Sequence, residues 1–305
     1  MNEQFLSALQ AENLPVSLDE SLGRHTTFRI GGNADFFCVP ATVTQLTRIL
    51  ELCRQYQVRT YLLGNGSNTL FSDAGFGGAV ICLTGLNSRF SMQAQPDGST
   101  KVLAPAGMML SALCNTAQKE SLAGLEFAHG IPGSLGGAVS MNAGAYGGEM
   151  KDVVISTRYL DGELRLCEAH GSAHDFGYRH SAFSDTDCVL LGSTLALTPG
   201  DPADIQARMR DLSERRRSRQ PLDLPSAGST FKRPVGGYAA ALIDQAGLKG
   251  YTVGGAQVSE KHAGFVVNRG GATFDDVLRL MDDVRSAVLR TSGVELEPEV
   301  KIIRG

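Results

Sequence analysis

The chain has 305 residues, 42% of them hydrophobic and 20% charged, with a formal net charge of −4. That length can hold two or three domains with cores of their own, and the composition is that of a globular protein rather than a disordered or fibrous one. The slight acidity argues against nucleic acid as a partner, and no apolar run is long enough to span a bilayer. Neither nucleic acid nor a membrane is therefore expected as a partner.

Residues 1–10 hold no cationic stretch leading into an apolar run, so no signal peptide is expected. The six cysteines (38, 53, 82, 114, 167 and 188) are scattered without paired metal-type spacing. Each is expected to be a reduced core residue, and no metal site is expected. The cytoplasm follows as the expected location. The 36 glycines are clustered, which suggests backbone lying close against a ligand.

Residues 1–20 read as a short helical lead-in. Segments 26–30 and 34–39 read as strands on either side of Gly31-Gly32, and Thr42 is placed to cap a helix over about 43–56. An apolar strand, Tyr61-Leu62-Leu63, runs into Gly64-Asn65-Gly66-Ser67-Asn68, and another strand covers 79–83. Backbone N–H groups crowded into such a turn suit an anionic phosphate. The third glycine of the dinucleotide fingerprint is missing and no long helix opens after the turn, so a plain tight turn remains an equal reading.

Segment 129–150 reads HGIPGSLGGAVSMNAGAYGGEM. A flexible linker would lack apolar residues, whereas Ile131, Leu135, Val139, Met141 and Tyr146 are interleaved here. The segment is therefore a packed, glycine-dense backbone, either a tight corner or a bed for a flat or phosphorylated ligand. A hairpin over 153–161 and 163–167 turns at Asp161-Gly162. Next comes Arg179 among aromatics, where a guanidinium can be a structural stack or a fork for carboxylate or phosphate.

A boundary falls near Thr198-Pro199-Gly200. Asp201 caps the next helix with Pro202 at its first position, and its stripe is Ile205, Met209 and Leu212. It ends in Arg215-Arg216-Arg217-Ser218-Arg219, either a solvated end that suits the helix dipole or a phosphate-facing cluster. Ser229 then follows a small-residue turn, with Lys232 and Arg233 close behind. Serine there ordinarily serves local hydrogen bonds, and the cations would favour any developing negative charge. Residues 238–245 form a short helix, 266–268 a strand, and Thr273 opens the clearest helix of the chain, closed by Gly293. The last strand, 299–303, puts Glu299 and Lys301 on one face and Val300 and Ile302 on the other. Glu299 alone would pass for an exposed edge residue.

Laid out in order, these segments resemble the UDP-N-acetylenolpyruvoylglucosamine reductase family over nearly the whole chain. The resemblance is carried by Thr26-Thr27-Phe28-Arg29-Ile30-Gly31-Gly32, the 64–68 loop, Gly130-Ile131-Pro132-Gly133-Ser134 through Asn142-Ala143-Gly144-Ala145-Tyr146-Gly147, Tyr178-Arg179-His180-Ser181, Ala227-Gly228-Ser229, and Glu299. It implies an α+β chain of the vanillyl-alcohol-oxidase (PCMH) type. Two lobes, 1–84 and 85–198, would hold a non-covalent FAD, and a third, 199–305, would close over substrate. Gly64, Asn65, Gly66, Ser67, Asn68, Gly130, Ile131, Pro132, Gly133, Ser134, Gly137, Asn142, Gly144 and Ala145 are then expected at the cofactor.

The implied chemistry is hydride transfer from NADPH to FAD and on to the enolpyruvyl group of UDP-N-acetylglucosamine enolpyruvate, in peptidoglycan precursor synthesis. By resemblance, Ser229 is the proton donor, Arg179 polarises the carboxylate, and Glu299 assists as a protonated or hydrogen-bonded partner, which needs burial to raise its pKa. Tyr178, Arg219, Lys232 and Arg233 are expected at the uridine diphosphate. One branch of the family has asparagine at the position of Arg233 and a substrate-clamping loop inserted after the Tyr-Arg motif. This chain has neither, which aligns it with the shorter branch. A monomer is expected. A related flavin oxidase of a sugar or hydroxy acid would share the FAD lobes without needing Ser229, and a non-catalytic flavin or nucleotide binder would not need the three residues to converge.

Overall fold

The computed structural model describes residues 2–86 and 90–305, so Met1 of the lead-in lies outside the described residues. Near the N-terminus a four-stranded sheet runs in the order Ser17–Ser21, Asn33–Cys38, Phe76–Cys82, Thr60–Leu63. The first pair is antiparallel and the other two are parallel, with the helix Val43–Gln55 as a crossover. Both faces of the sheet are covered. Phe36, Ala79 and Ile81 pack under Phe5, Leu9, Leu46 and Ile49, while Phe37, Val80 and Cys82 face Leu63, Phe71 and Phe76. Two-sided burial is why these strands read as unbroken apolar runs.

Two expectations fail here. The lead-in is not one helix: Glu3–Ala11 ends where Asn13 turns left-handed at φ 52° and Leu14 N donates to Leu9 O at 2.9 Å, and Ser17–Ser21 is a strand. Segment 26–30 is not a strand but a turn, with Arg29 at φ 57° and Phe28 and Ile30 sunk into a different core. Its alternation comes from anchoring, not from pairing.

The second sheet is antiparallel, in the order Leu166–His170, Val154–Leu160, Val189–Pro199, Thr100–Pro105, Ser91–Ala94. The helices Leu110–Lys119 and Leu135–Ser140 cover it through Leu110, Leu113, Leu135 and Val139. The helix Pro202–Arg219 begins on the far side of the 198/199 boundary, yet Ile205 and Met209 lie in this same core. Gly200 N donates to Ser121 O at 2.8 Å and turns the chain back against this lobe.

The third sheet runs Ser226–Ser229, Phe265–Asn268, Ala256–Val258, Thr252–Val253, all antiparallel. The helix Phe274–Ser292 covers it with Val277, Leu280, Met281, Val284 and Val288. A Thr273–Asp276 capping box starts that helix and Gly293, at φ 71°, ends it. This lobe is fastened to the first: Phe28, Ile30 and Leu70 enter its core, and the final strand Lys301–Ile303 pairs in parallel with Thr69–Phe71. The fold is α+β, with three layers of packing meeting around one cleft. No helix among the described residues is long and apolar enough to cross a membrane.

Candidate active site

A cavity of about 770 Å³ opens where the three sheets meet. That is near the upper end for small-molecule sites, which run to roughly 1,000 Å³. Its walls are largely loops, joined by the strand Ser226–Ser229 and the end of the helix Pro202–Arg219, and side chains stitch them together. Asn65 Nδ2 donates to Pro132 O at 2.7 Å, joining the 64–68 loop to the glycine-dense segment. Asn68 Nδ2 donates to Glu299 O at 3.0 Å, and Asn68 O accepts from Lys301 N at 3.0 Å. Thr27 Oγ1 donates to Ser226 O at 2.7 Å, tying the 26–30 turn to the strand that ends in Ser229.

Of the residues expected at the cofactor, Gly64, Asn65, Ser67, Asn68, Gly130, Ile131, Pro132, Gly144 and Ala145 line the cavity. Gly66, Gly133, Ser134, Gly137 and Asn142 do not. Gly66 is glycine for packing: it sits at φ 60°, and a β-carbon there would overlap the His25 carbonyl oxygen. Ser134 and Asn142 are buried, 2% and 1% exposed.

Arg179, Glu299 and Ser229 converge on the cavity from three separate stretches of chain. Arg179 stands on a tight turn and donates from Nε to Glu299 Oε1 at 2.7 Å. Glu299 is not an exposed edge residue: Glu299 N donates to Thr230 O at 2.8 Å, placing it beside the strand that carries Ser229. Burial pushes its carboxyl above the ordinary carboxylate range, against the pull of the Arg179 and Lys232 charges.

The residues expected at the diphosphate stand outside the cavity wall. Tyr178 OH accepts from Arg233 N at 3.0 Å, and the Arg179 guanidinium lies 5.4 Å from the Tyr178 ring. Arg233 covers Tyr238 at 4.1 Å, and Lys232 pairs with Glu297 at 3.3 Å. Arg219, at the end of its helix, is exposed.

Among the wall residues that the sequence did not single out, one stands apart from the basic cluster in which it was read. Arg216 lines the cavity, is 8% exposed, and has Nε and Nη2 buried without a hydrogen-bond partner. Burial lowers its pKa. It lies beside Gly130, and its guanidinium is 5.5 Å from the Tyr146 ring. The signal was in the spacing: Ile205, Met209, Leu212 and Arg216 fall on one helical face, and all four are buried. Thr26 Oγ1 is a third buried, unpartnered polar atom on a residue that lines the cavity.

The family model of an FAD-binding domain matches residues 34–168. That of the UDP-N-acetylenolpyruvoylglucosamine reductase C-terminal domain matches residues 220–303. The chain is 46% identical over 286 residues to the UDP-N-acetylenolpyruvoylglucosamine reductase of Caldanaerobacter subterraneus subsp. tengcongensis, spanning 94% of this chain and 93% of that one. It is 45% identical over 299 residues to that of Clostridioides difficile, spanning 98% and 96%. Among solved structures, the reductase of Thermus caldophilus superposes with a TM-score of 0.79 at 31% identity, covering 95% of this chain and 99% of that one. With both halves of the cavity matched in this way, the chain belongs to the UDP-N-acetylenolpyruvoylglucosamine reductase family.

Proposed function

We propose that this chain reduces UDP-N-acetylglucosamine enolpyruvate to UDP-N-acetylmuramate, with FAD as cofactor and NADPH as hydride donor, in peptidoglycan precursor synthesis. The observation that carries the reading is the meeting of Arg179, Glu299 and Ser229 on one cavity whose opposite wall belongs to the FAD-binding domain.

The residues present fit a flavin dinucleotide. The cavity is large enough for an extended ligand, and the two unpartnered Arg216 nitrogens call for an anion such as a pyrophosphate. Arg216, the 64–68 loop and the backbone from Gly130 to Pro132 would hold it. Bound there, the flavin would supply the hydride relay from NADPH to the enolpyruvyl carbon.

The protein's own part is electrostatic. Arg179 takes the enolpyruvyl carboxylate on its fork and withdraws charge as the adjacent carbon gains carbanion character. Ser229, a weak acid, serves as proton donor because that carbon is strongly basic and held within reach. Glu299, whose burial favours the protonated form over the anion, steadies Arg179 and so lessens the second negative charge beside the carboxylate. Tyr178, Lys232 and Arg233 receive the uridine diphosphate, with Arg219 further out. In this reading 1–84 and 85–198 hold the cofactor with Arg216 added from the helix that packs on them, the rest of 199–305 takes the substrate, and one cytoplasmic monomer suffices, since Ser229, Arg179 and Glu299 come from a single chain. Only residues 184–188 separate Phe183 from the strand Val189–Pro199, in keeping with the shorter branch.

An anaerobic flavin titration tests it. NADPH should bleach the flavin band of the holoprotein, and UDP-N-acetylglucosamine enolpyruvate should restore it. Restoration by air alone would favour an oxidase, and a protein that takes up no FAD would end the flavoenzyme reading.

A further inference from the structure

We infer that Asn142 is a positioning residue for Arg179, holding the turn that aims the guanidinium into the cavity, rather than a contact to the cofactor. The inference rests on the reductase reading above.

Residues 177–180 form a two-residue turn, closed by Gly177 N to His180 O at 3.0 Å and His180 N to Gly177 O at 3.4 Å. Arg179 occupies its second corner at φ 52°. Glycine or asparagine ordinarily fills a left-handed corner of this kind, because a β-carbon there is crowded by the following carbonyl. Such a conformation persists where the surroundings over-determine it. Here both ends of the turn are tethered to the same short stretch of chain. Asn142 Nδ2 donates to Gly177 O at 2.9 Å on one side. On the other, Ser181 and Ser184 donate from Oγ to Ser140 O at 2.7 and 2.8 Å.

The remaining capacity of Asn142 is spent inside the protein. Nδ2 also donates to Glu149 Oε2 at 2.9 Å, and Oδ1 accepts from Lys151 N at 2.9 Å. With 1% exposure and no share in the cavity wall, the amide has nothing to offer a ligand. What it does offer is a rigid link between the glycine-dense segment and the turn that bears Arg179. Without the amide, the turn can relax out of its left-handed corner and the Arg179 guanidinium loses its line to the substrate carboxylate.

The test separates the two half-reactions of FAD-loaded protein under anaerobic stopped flow. In Asn142→Ala, FAD affinity and bleaching by NADPH should stay within about twofold of the unsubstituted protein, while reoxidation by UDP-N-acetylglucosamine enolpyruvate slows on the order of 10- to 100-fold, as misplacement of a catalytic group does. In an Arg179→Ala background the same change should add no more than about twofold, since residues acting through one another are not additive. Ser184→Ala, at the other tether, should give a milder loss confined to reoxidation, and it decides the matter if Asn142→Ala does not fold. Loss of FAD, slowed bleaching by NADPH, or full additivity with Arg179→Ala would overturn the inference. If the unsubstituted protein is not reoxidised by the enolpyruvyl sugar, the reductase reading itself fails, a result distinct from any of these.

Discussion

Glu299 Oε1 lies 2.7 Å from Arg179 Nε, yet the Glu299 side chain is only 9% exposed, against 23% for Arg179. Burial outweighs the cation, and the carboxyl binds its proton more tightly in the folded chain than in the unfolded one. Its stabilising contribution is therefore complete below the ordinary glutamate pKa and is lost as pH rises through the raised folded value. Replacing it by an amide removes the titration. Urea unfolding from acid to neutral pH should show the unsubstituted protein losing stability relative to Glu299→Gln as pH climbs. Parallel curves across that range would mean that the fold does not raise the affinity of Glu299 for its proton. Flavin reoxidation by substrate should likewise fall with rising pH in the unsubstituted protein and flatten in the variant.

Ser229 closes the strand Ser226–Ser229 and faces the cavity beside Glu299. In the proposed role of proton donor it would act only after hydride has reached the substrate. Ser229→Ala should leave bleaching by NADPH unchanged and slow product formation by roughly 10²- to 10⁴-fold, the usual worth of a positioned acid. Rapid product formation by the variant, followed by quenched-flow analysis, would assign the proton to water or another group.

Local signals were legible where local physics decides. The helix Phe274–Ser292 carries both its capping box and its terminal glycine in sequence, and Thr42 does cap Val43–Gln55, accepting from Gln45 N. Long-range partners were not legible. The turn at 26–30 mimics a strand because Phe28 and Ile30 are anchors into the third core. The burial of Glu299 depends on Thr230 and Asn68, distant in sequence. Arg216 was hidden for a different reason: its neighbours Arg215, Arg217 and Arg219 are exposed, and a run of charge masks the one member that continues the buried stripe.

Gly66 illustrates a glycine that acts on the site through packing alone. At φ 60°, any β-carbon would run into the His25 carbonyl oxygen and lie 2.9 Å from Thr26 Cα. Thr27 N also donates to Gly66 O at 3.2 Å, so the two loops cannot part without losing that bond. Gly66→Ala should cost about 1–3 kcal/mol of stability, with FAD affinity falling as a consequence of loop displacement. Chemical denaturation of the flavin-free protein is the check. An unchanged midpoint would show that the loop has room to move.

Arg216 combines two effects of opposite sign. In the flavin-free protein a buried guanidinium with two unpartnered nitrogens is destabilising, offset in part by the Tyr146 ring. On the reading proposed above, the same nitrogens would meet an anion in the holoprotein, where a charge-assisted hydrogen bond is worth about 1.5–3 kcal/mol. Arg216→Met keeps the bulk and the apolar stem but removes the charge. It should raise the melting temperature of the flavin-free protein while weakening FAD binding by roughly 10- to 100-fold, because each 1.4 kcal/mol is a factor of ten. Arg219→Ala, at the exposed end of the same helix, should alter neither by more than about twofold, as exposed substitutions rarely matter. Calorimetric titration of both variants with FAD separates the two arginines. Equal losses would make the cluster a diffuse positive field rather than one aimed ligand, and a lower melting temperature for Arg216→Met would show that its packing on Tyr146 outweighs the cost of its burial.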